Sequence, residues 1–442
     1  MTSGVRFNEA SAIAERLAIQ IAGDSQRAVL VRDVLGRFSL IVDDETQVID
    51  ADRIAEWTEA FRRELGVYAG RAPVEVASSM FLPGLFQAPR LRPLISAPDS
   101  NVQFLNNTVV GEDWDVVEDV PLRTERSSTR VALYGFKGGV GRSTATIMLA
   151  DALARESRNG LCVLVIDLDL ESPGASALIA FDDLPNDGVV DAMVENAIEN
   201  DVELELVART QIAVDNGNGE VWLAPARGSG TGRGESQYVE KLNRIYGSLP
   251  GTDFAGRIEQ VIAQCEDAVE RDGGRRPDVV LLDSRAGIHD IAAAVISRIA
   301  DLTFLFAGSN AQTWTGYRDL FEHWQAVGEA ADIRERLQVV AAMVPTADRE
   351  AANDYLHRLR ERAYEAFAEL YDDAAPGDSD AYAPAETDTD APHSPIPIIF
   401  THELLGFAPN DPTWVTNPLV AASFDRFRTE AVQLIEHLRS KA

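Results

Sequence analysis

Lysine is nearly missing from this chain. It stands at positions 137, 241 and 441 only, so almost all of the 40 basic residues are arginine. A lysine-rich tract for nucleic acid or anionic lipid is thereby excluded, and the placement of Lys137 becomes informative. Cysteine is almost as scarce, with Cys162 and Cys265 far apart. Two such residues make neither a disulfide framework nor a zinc site; they read as buried small hydrophobes in a reducing compartment. No stretch of about 18 apolar residues occurs, so no transmembrane helix is expected. The first residues lack a basic segment followed by an apolar run, so no signal peptide is expected and a cytoplasmic location follows. Positive charge is short overall: 71 acidic residues leave a net charge of −31. A surface of that sign repels phosphate backbones and lipid head groups at long range, which argues against nucleic acid and membrane as partners. The six histidines show no ligand spacing, and no internal repeat is visible.

A chain of 442 residues exceeds one ordinary core and implies more than one domain. Residues 1–125 read as a smaller α/β unit of unknown role with a linker: amphipathic helices over 12–21 and 54–65, β-branched runs at 28–31 and 38–42, and an irregular Pro/Arg-rich connection at 83–98. From 131 onward short apolar strands (131–135, 162–166, 220–224, 279–282, 303–307, 339–344 and 396–400) alternate with helical stretches. Strands this apolar, separated by helices, indicate a mostly parallel, doubly wound sheet covered on both faces, here over 126–442. Residues 227–236 (RGSGTGRGES) form a loop. Residues 372–395, acidic and Pro-rich, read as a mobile insertion. The 309–317 segment reads as an N-capping turn before a helix. Phe424, Phe427, Ala431, Leu434, Ile435 and Leu438 share one face of a final helix that reads as packed on the core rather than laid on a membrane.

The chemistry concentrates at 134–144, YGFKGGVGRST, after the first strand and opening a helix over 143–155. Consecutive glycines let backbone N–H groups turn around a phosphate, and the helix N-terminus adds partial positive charge. Gly138, Gly139, Val140, Gly141, Arg142, Ser143 and Thr144 are the candidate phosphate cradle, with the Ser143 hydroxyl placed for Mg²⁺. The ordinary pattern G-x-x-x-x-G-K-[ST] is altered: Phe136 stands at the first glycine, Arg142 at the lysine, and Lys137 is extra. Arginine is a planar fork and lysine a compact point charge, so Arg142 either reaches phosphate or points elsewhere and leaves Lys137 to supply charge. Asp283 ends the apolar strand 279–282 and fits a carboxylate that holds Mg²⁺. Asp167 and Asp169 end another strand, two residues apart and so on one side.

The KGGVG at 137–141 resembles the deviant phosphate loop of the ParA/MinD superfamily. Three further segments agree: VLVIDLDLESPG at 163–174, EVWLAPA at 220–226 and VVLLDSRAGI at 279–288. Together with YGFKGGVGRS they resemble a KGGVGR-variant branch of these P-loop ATPases. The resemblance implies ATP and Mg²⁺ as cofactors, an ATP-dependent homodimer, and hydrolysis that controls a partner protein through the N-terminal domain. It gives Ser143, Asp167 and Asp283 to the metal shell. It makes Lys137 and Asp169 catalytic, the lysine reaching the other protomer's phosphates and the aspartate orienting water. Arg142 in place of lysine allows weak hydrolysis. The alternative reading is a nucleotide-loaded scaffold with little or no turnover, in a bacterial defence or signalling system. Two positions depart from relatives: Arg285 stands where they carry proline, and AAMVP at 341–345 lacks the asparagine used for the base. ATP rather than GTP therefore rests on the family alone.

Overall fold

The computed structural model describes residues 5–441 except 24–25, 46–47, 81–83, 89–90, 95, 108–111, 116–127, 157–159, 180–183, 201, 213–218, 231–236, 248–252, 346–348, 373–380 and 406–411. The chain divides into two compact units, Met1–Glu112 and Asp113–Ala442. The division expected after 125 falls among residues outside the described ones, as does most of the 227–236 loop.

The first unit is a five-stranded mixed sheet in the order β3-β2-β1-β5-β4, formed by β1 (Ala28–Arg32), β2 (Phe38–Val42), β3 (Ala69–Val76), β4 (Arg92–Pro93) and β5 (Val102–Asn106). Helices α1 (Phe7–Ala22) and α2 (Ala51–Leu65) cover it, and a single turn, α3 (Ala77–Met80), follows β3. Ala10, Ala14 and Leu17 of α1 and Phe61 and Leu65 of α2 close over Phe38, Leu40 and Val42. The Asp50 carboxylate caps α2 by accepting from the Asp52 amide at 3.2 Å, which fixes where that helix starts.

The second unit carries an eight-stranded sheet, ordered β13-β12-β11-β6-β10-β7-β9-β8. Its strands are β6 (Thr129–Gly135), β7 (Cys162–Asp167), β8 (Ala208–Arg209), β9 (Glu220–Ala224), β10 (Val279–Asp283), β11 (Leu302–Ala307), β12 (Leu337–Val344) and β13 (Ile396–Ile399). All pairings are parallel except β8 with β9. The helices are α4 (Arg142–Glu156), α5 (Ala175–Ile179), α6 (Val189–Ala197), α7 (Tyr238–Ile245), α8 (Phe254–Gly273), α9 (Asp290–Ala294), α10 (Ala311–Val327), α11 (Ala330–Arg334), α12 (Arg349–Phe367) and α13 (Pro418–Lys441). Side chains alternate along β6: Val131 and Leu133 join α4 and α13 on one face, while Ala132 joins α8 and Tyr134 joins α10 on the other. This is the doubly wound, mostly parallel architecture expected from the sequence, with seven strands where the apolar runs place them and β8 as a two-residue edge.

Three peripheral expectations meet the structure here. The final helix packs inward: Phe427 meets Phe304 and Phe306 with ring centres 5.5 and 6.0 Å apart. Asn310 caps α10 by accepting from the Gln312 amide at 2.9 Å. Of the 372–395 stretch, residues 373–380 lie outside the described ones, 387–390 are exposed and 391–395 are buried. The Tyr382 ring lies under the Arg334 guanidinium at 4.6 Å, the Gln338 amide donates to the Ser394 carbonyl at 2.6 Å, and His393 is fully buried against Tyr364 and Tyr371. No helix among the described residues is long and apolar enough to cross a membrane.

Candidate functional site

Parallel register builds the site. On adjacent strands Asp283 of β10 stands opposite Asp167 of β7, and β10 pairs on its other side with β6, whose end feeds the glycine loop. Two carboxylates and the loop therefore meet at the carboxyl edge of the sheet, the edge where open α/β sheets bind ligands.

The loop itself is backbone held in place at both ends. Gly139 and Gly141 take φ of 77° and 79°, a region that other residues enter only with strain. No atom lies within 4 Å of where a Cβ would project from Gly138, Gly139 or Gly141, so bare peptide groups face open space. Val140 packs against the core below the loop, and Thr144 is half-buried in the first turn of α4. Phe136 explains its own departure from glycine. Its ring lies 6.1 Å from that of Tyr317 and rests on Gly316, where a Cβ would fall 2.1 Å from the ring. An aromatic bolt to α10 thus sets where the loop begins. We expect Gly316→Ala to expel that ring, cost about 2 kcal/mol of stability in urea unfolding, and weaken nucleotide binding about tenfold, read by calorimetry. Next to the bolt, Lys137 is half-exposed, with no ion pair or hydrogen bond among the described residues.

Arg142 turns to the carboxylates. Its Nε donates to Asp283 Oδ1 at 2.7 Å and its Nη2 to Asp169 Oδ2 at 2.9 Å. Burial alone would lower the guanidinium pKa, but Asp283 and Asp169 outweigh it and push the pKa up. Asp283 Oδ2 accepts from the Ala175 amide at 3.0 Å. Gly174 keeps space between hydroxyl and carboxylate, since a Cβ there would lie 2.4 Å from Ser143 Oγ and 2.8 Å from Asp283 Oδ2. Asp169 is half-buried; burial raises its pKa while Arg142 opposes the rise.

Asp167 is fully buried and accepts from the amide of Ser176 at 2.9 Å and from its hydroxyl. Burial first, and then the neighbouring Asp283, push it from 3.8 up to about 7. Between those values the folded chain keeps a proton that the unfolded chain releases, so stability falls as pH rises through that window. Asp167→Asn removes this dependence. Comparing urea unfolding at pH 5 and pH 7, the wild type should lose on the order of 1 kcal/mol more per pH unit than the variant.

Further residues escaped the sequence reading. Glu171 forms an ion pair with Arg285 and accepts a hydrogen bond from the Tyr246 hydroxyl, and Arg285 Nη1 lies 3.2 Å from His289 Nε2. Burial first, then Arg285, hold the His289 pKa low. Arg285 thus replaces proline with an ion pair that ties the segment after Asp169 to the segment after Asp283. The sequence marks Arg285 only as a departure from proline; its pairing with Glu171 has no local signal, because the two are distant in sequence. At the expected base position, Met343 is exposed with a φ of 58° and Tyr355 donates to the Ala342 carbonyl at 2.8 Å.

The residues fit a nucleotide with a divalent cation. Open space over the loop glycines suits phosphate oxygens, and the Ser143 hydroxyl faces a carboxylate across Gly174. No cluster of three His, Cys, Asp or Glu side chains suited to a metal occurs among the described residues. A cation here therefore needs phosphate and water to complete its shell, as Mg²⁺ does in such sites.

Solved structures similar to the chain include pNOB8 ParA bound to nonspecific DNA, at 15% identity over 71% of this chain and 99% of that one, with a TM-score of 0.43. Cobyrinic acid a,c-diamide synthase from Mycobacterium smegmatis, with bound ATP analogue and magnesium, is 16% identical over 53% and 82% of the two chains, with a TM-score of 0.36. The MinC:MinD complex of Aquifex aeolicus matches at 17% identity over 51% and 72%, with a TM-score of 0.32. No curated protein matches the chain. The sequence model of the CobQ/CobB/MinD/ParA nucleotide-binding domain matches residues 131–359, more than half of the chain and inclusive of every site residue above. The protein belongs to this CobQ/CobB/MinD/ParA nucleotide-binding family.

Proposed function

We propose that this protein is an ATP-dependent switch. It binds ATP with Mg²⁺, pairs with a second copy of itself, and hydrolyses the nucleotide to control a partner protein engaged through residues 1–125. The observation that carries the reading is the register of Asp283 against Asp167 beside a glycine loop that opens α4.

The amides of residues 138–144 cradle the phosphates, aided by the positive end of α4. Ser143, Asp283 and Asp167 would hold the metal. Bound Mg²⁺ supplies charge neutralisation across the phosphates. Asp169 orients the attacking water by accepting its hydrogen bond. Lys137 lends a point charge to the oxygen on which negative charge develops, reaching it across the dimer. We place the protein in the cytoplasm. The test is phosphate release from ATP by the purified full chain: release that stops when EDTA removes Mg²⁺ supports the reading, and none from protein that binds ATP contradicts hydrolysis.

One observation favours a second reading, a nucleotide-loaded scaffold with little turnover. Arg142 occupies Asp169, the carboxylate that would orient water. Bound ATP recovered intact after hours, with turnover restored by Arg142→Lys, would select it. The pNOB8 ParA structure contains nonspecific DNA, so the acidic total of this chain does not by itself exclude nucleic acid. A salt-dependent shift of duplex DNA by the ATP-loaded protein would add DNA to its partners.

A further inference from the structure

Both oxygens of Asp283 are engaged: Oδ1 by the Arg142 guanidinium and Oδ2 by the Ala175 amide. The same guanidinium also holds Asp169. Arg142 is 7% exposed and Asp283 is fully buried, so these bonds lie where water screens little. A cation seated between Ser143 Oγ and Asp283 would lie close to the guanidinium, and two positive charges at that range repel strongly. Only arginine makes this bridge, because its planar fork presents Nε and Nη2 to two carboxylates at once, whereas lysine offers one point charge.

We propose that Arg142 is an internal counter-cation that competes with the metal for Asp283 and exchanges the carboxylates for phosphate when nucleotide arrives. The proposal rests on the Mg²⁺-nucleotide reading of the loop and adds its order of loading. Metal alone is kept out. Phosphate oxygens draw the guanidinium away, and that single move frees Asp283 for the metal and Asp169 for water. Arg142 is thus a positioning residue that links the arrival of phosphate to the readiness of both carboxylates.

The test uses Mn²⁺ alone as the probe. Its binding to the full chain is followed by the loss of the free-ion electron paramagnetic resonance signal, with no nucleotide added. Arg142→Lys cannot bridge, so it should bind Mn²⁺ at least ~10-fold tighter than wild type. Once nucleotide has drawn residue 142 away both proteins bind Mn²⁺ alike, so the factor by which an imido analogue of ATP tightens Mn²⁺ should shrink by the same amount. In Arg142→Gln the carboxylates lose their cation altogether, so Mn²⁺ alone should raise its melting temperature more than it raises that of the wild type. This readout serves even where the variant folds poorly. Unchanged or weaker Mn²⁺ affinity in Arg142→Lys, or no excess stabilisation of Arg142→Gln, overturns the proposal. If ATP binds the wild type while Mn²⁺ ignores Arg142, only the counter-cation role fails. If ATP with Mg²⁺ does not bind at all, the reading of the loop fails with it.

Discussion

Lys137→Ala should lower ATP turnover by about a thousandfold while leaving nucleotide affinity of the isolated protomer within a few-fold. The size follows from the 10³–10⁵ that a cationic finger contributes to phosphoryl transfer. Selectivity for turnover follows from the surroundings. Phe136 is bolted to Gly316 and Tyr317, so the backbone at 137 is held while the ammonium has no partner of its own among the described residues. A charge so placed is free to act on a group outside its own protomer. Mixing distinguishes that from action in cis. In a dimer of one Lys137→Ala chain and one Asp169→Ala chain, one composite site keeps both an intact lysine and an intact aspartate. Two inactive variants combined in equal amounts should therefore recover roughly a quarter of wild-type turnover by symmetry. No recovery would place the lysine in its own site.

Asp169→Ala should reduce turnover by about 10²–10⁴, the range for a positioned acid–base group, and leave ATP bound and unhydrolysed. Asp169 sits two residues beyond Asp167 and is half-buried, and its carboxylate is held by Arg142 at 2.9 Å. Its position rests on β7, which pairs with β9 and β10 on either side, so truncating the side chain leaves the loop intact. Affinity for ATP should stay within a few-fold by calorimetry, while single-turnover phosphate release falls. A parallel collapse of both would show that Asp169 shapes the site instead of orienting water.

The sequence made much of this legible because the site is built from local patterns. An apolar run ending in one acid, as at 279–283, has a single economical explanation in a buried parallel sheet, and Asp283 stands there opposite Asp167. What remained hidden depends on distant partners. Nothing near Phe136 shows that Gly316 makes room for its ring. The sequence leaves Arg142 reaching phosphate or pointing elsewhere, because its direction is decided by Asp283 and Asp169, which are distant in sequence and hold it here. Ser176 and the Ala175 amide, which hold Asp167 and Asp283, lie in a five-residue helix too short to leave a periodic signal. In the first unit, β3 contains Gly70 and Pro73, which weaken a strand pattern; its pairing with β2 shifts register there.

Titrating ATP into the full chain by calorimetry, with and without Mg²⁺, reads directly whether the glycine loop holds a nucleotide. One ATP should bind per chain, tightened by Mg²⁺, with binding abolished by Gly141→Val, which forces a β-branched residue into φ of 79°. Heat of binding that is absent in the wild type, or unaltered in Gly141→Val, would contradict it.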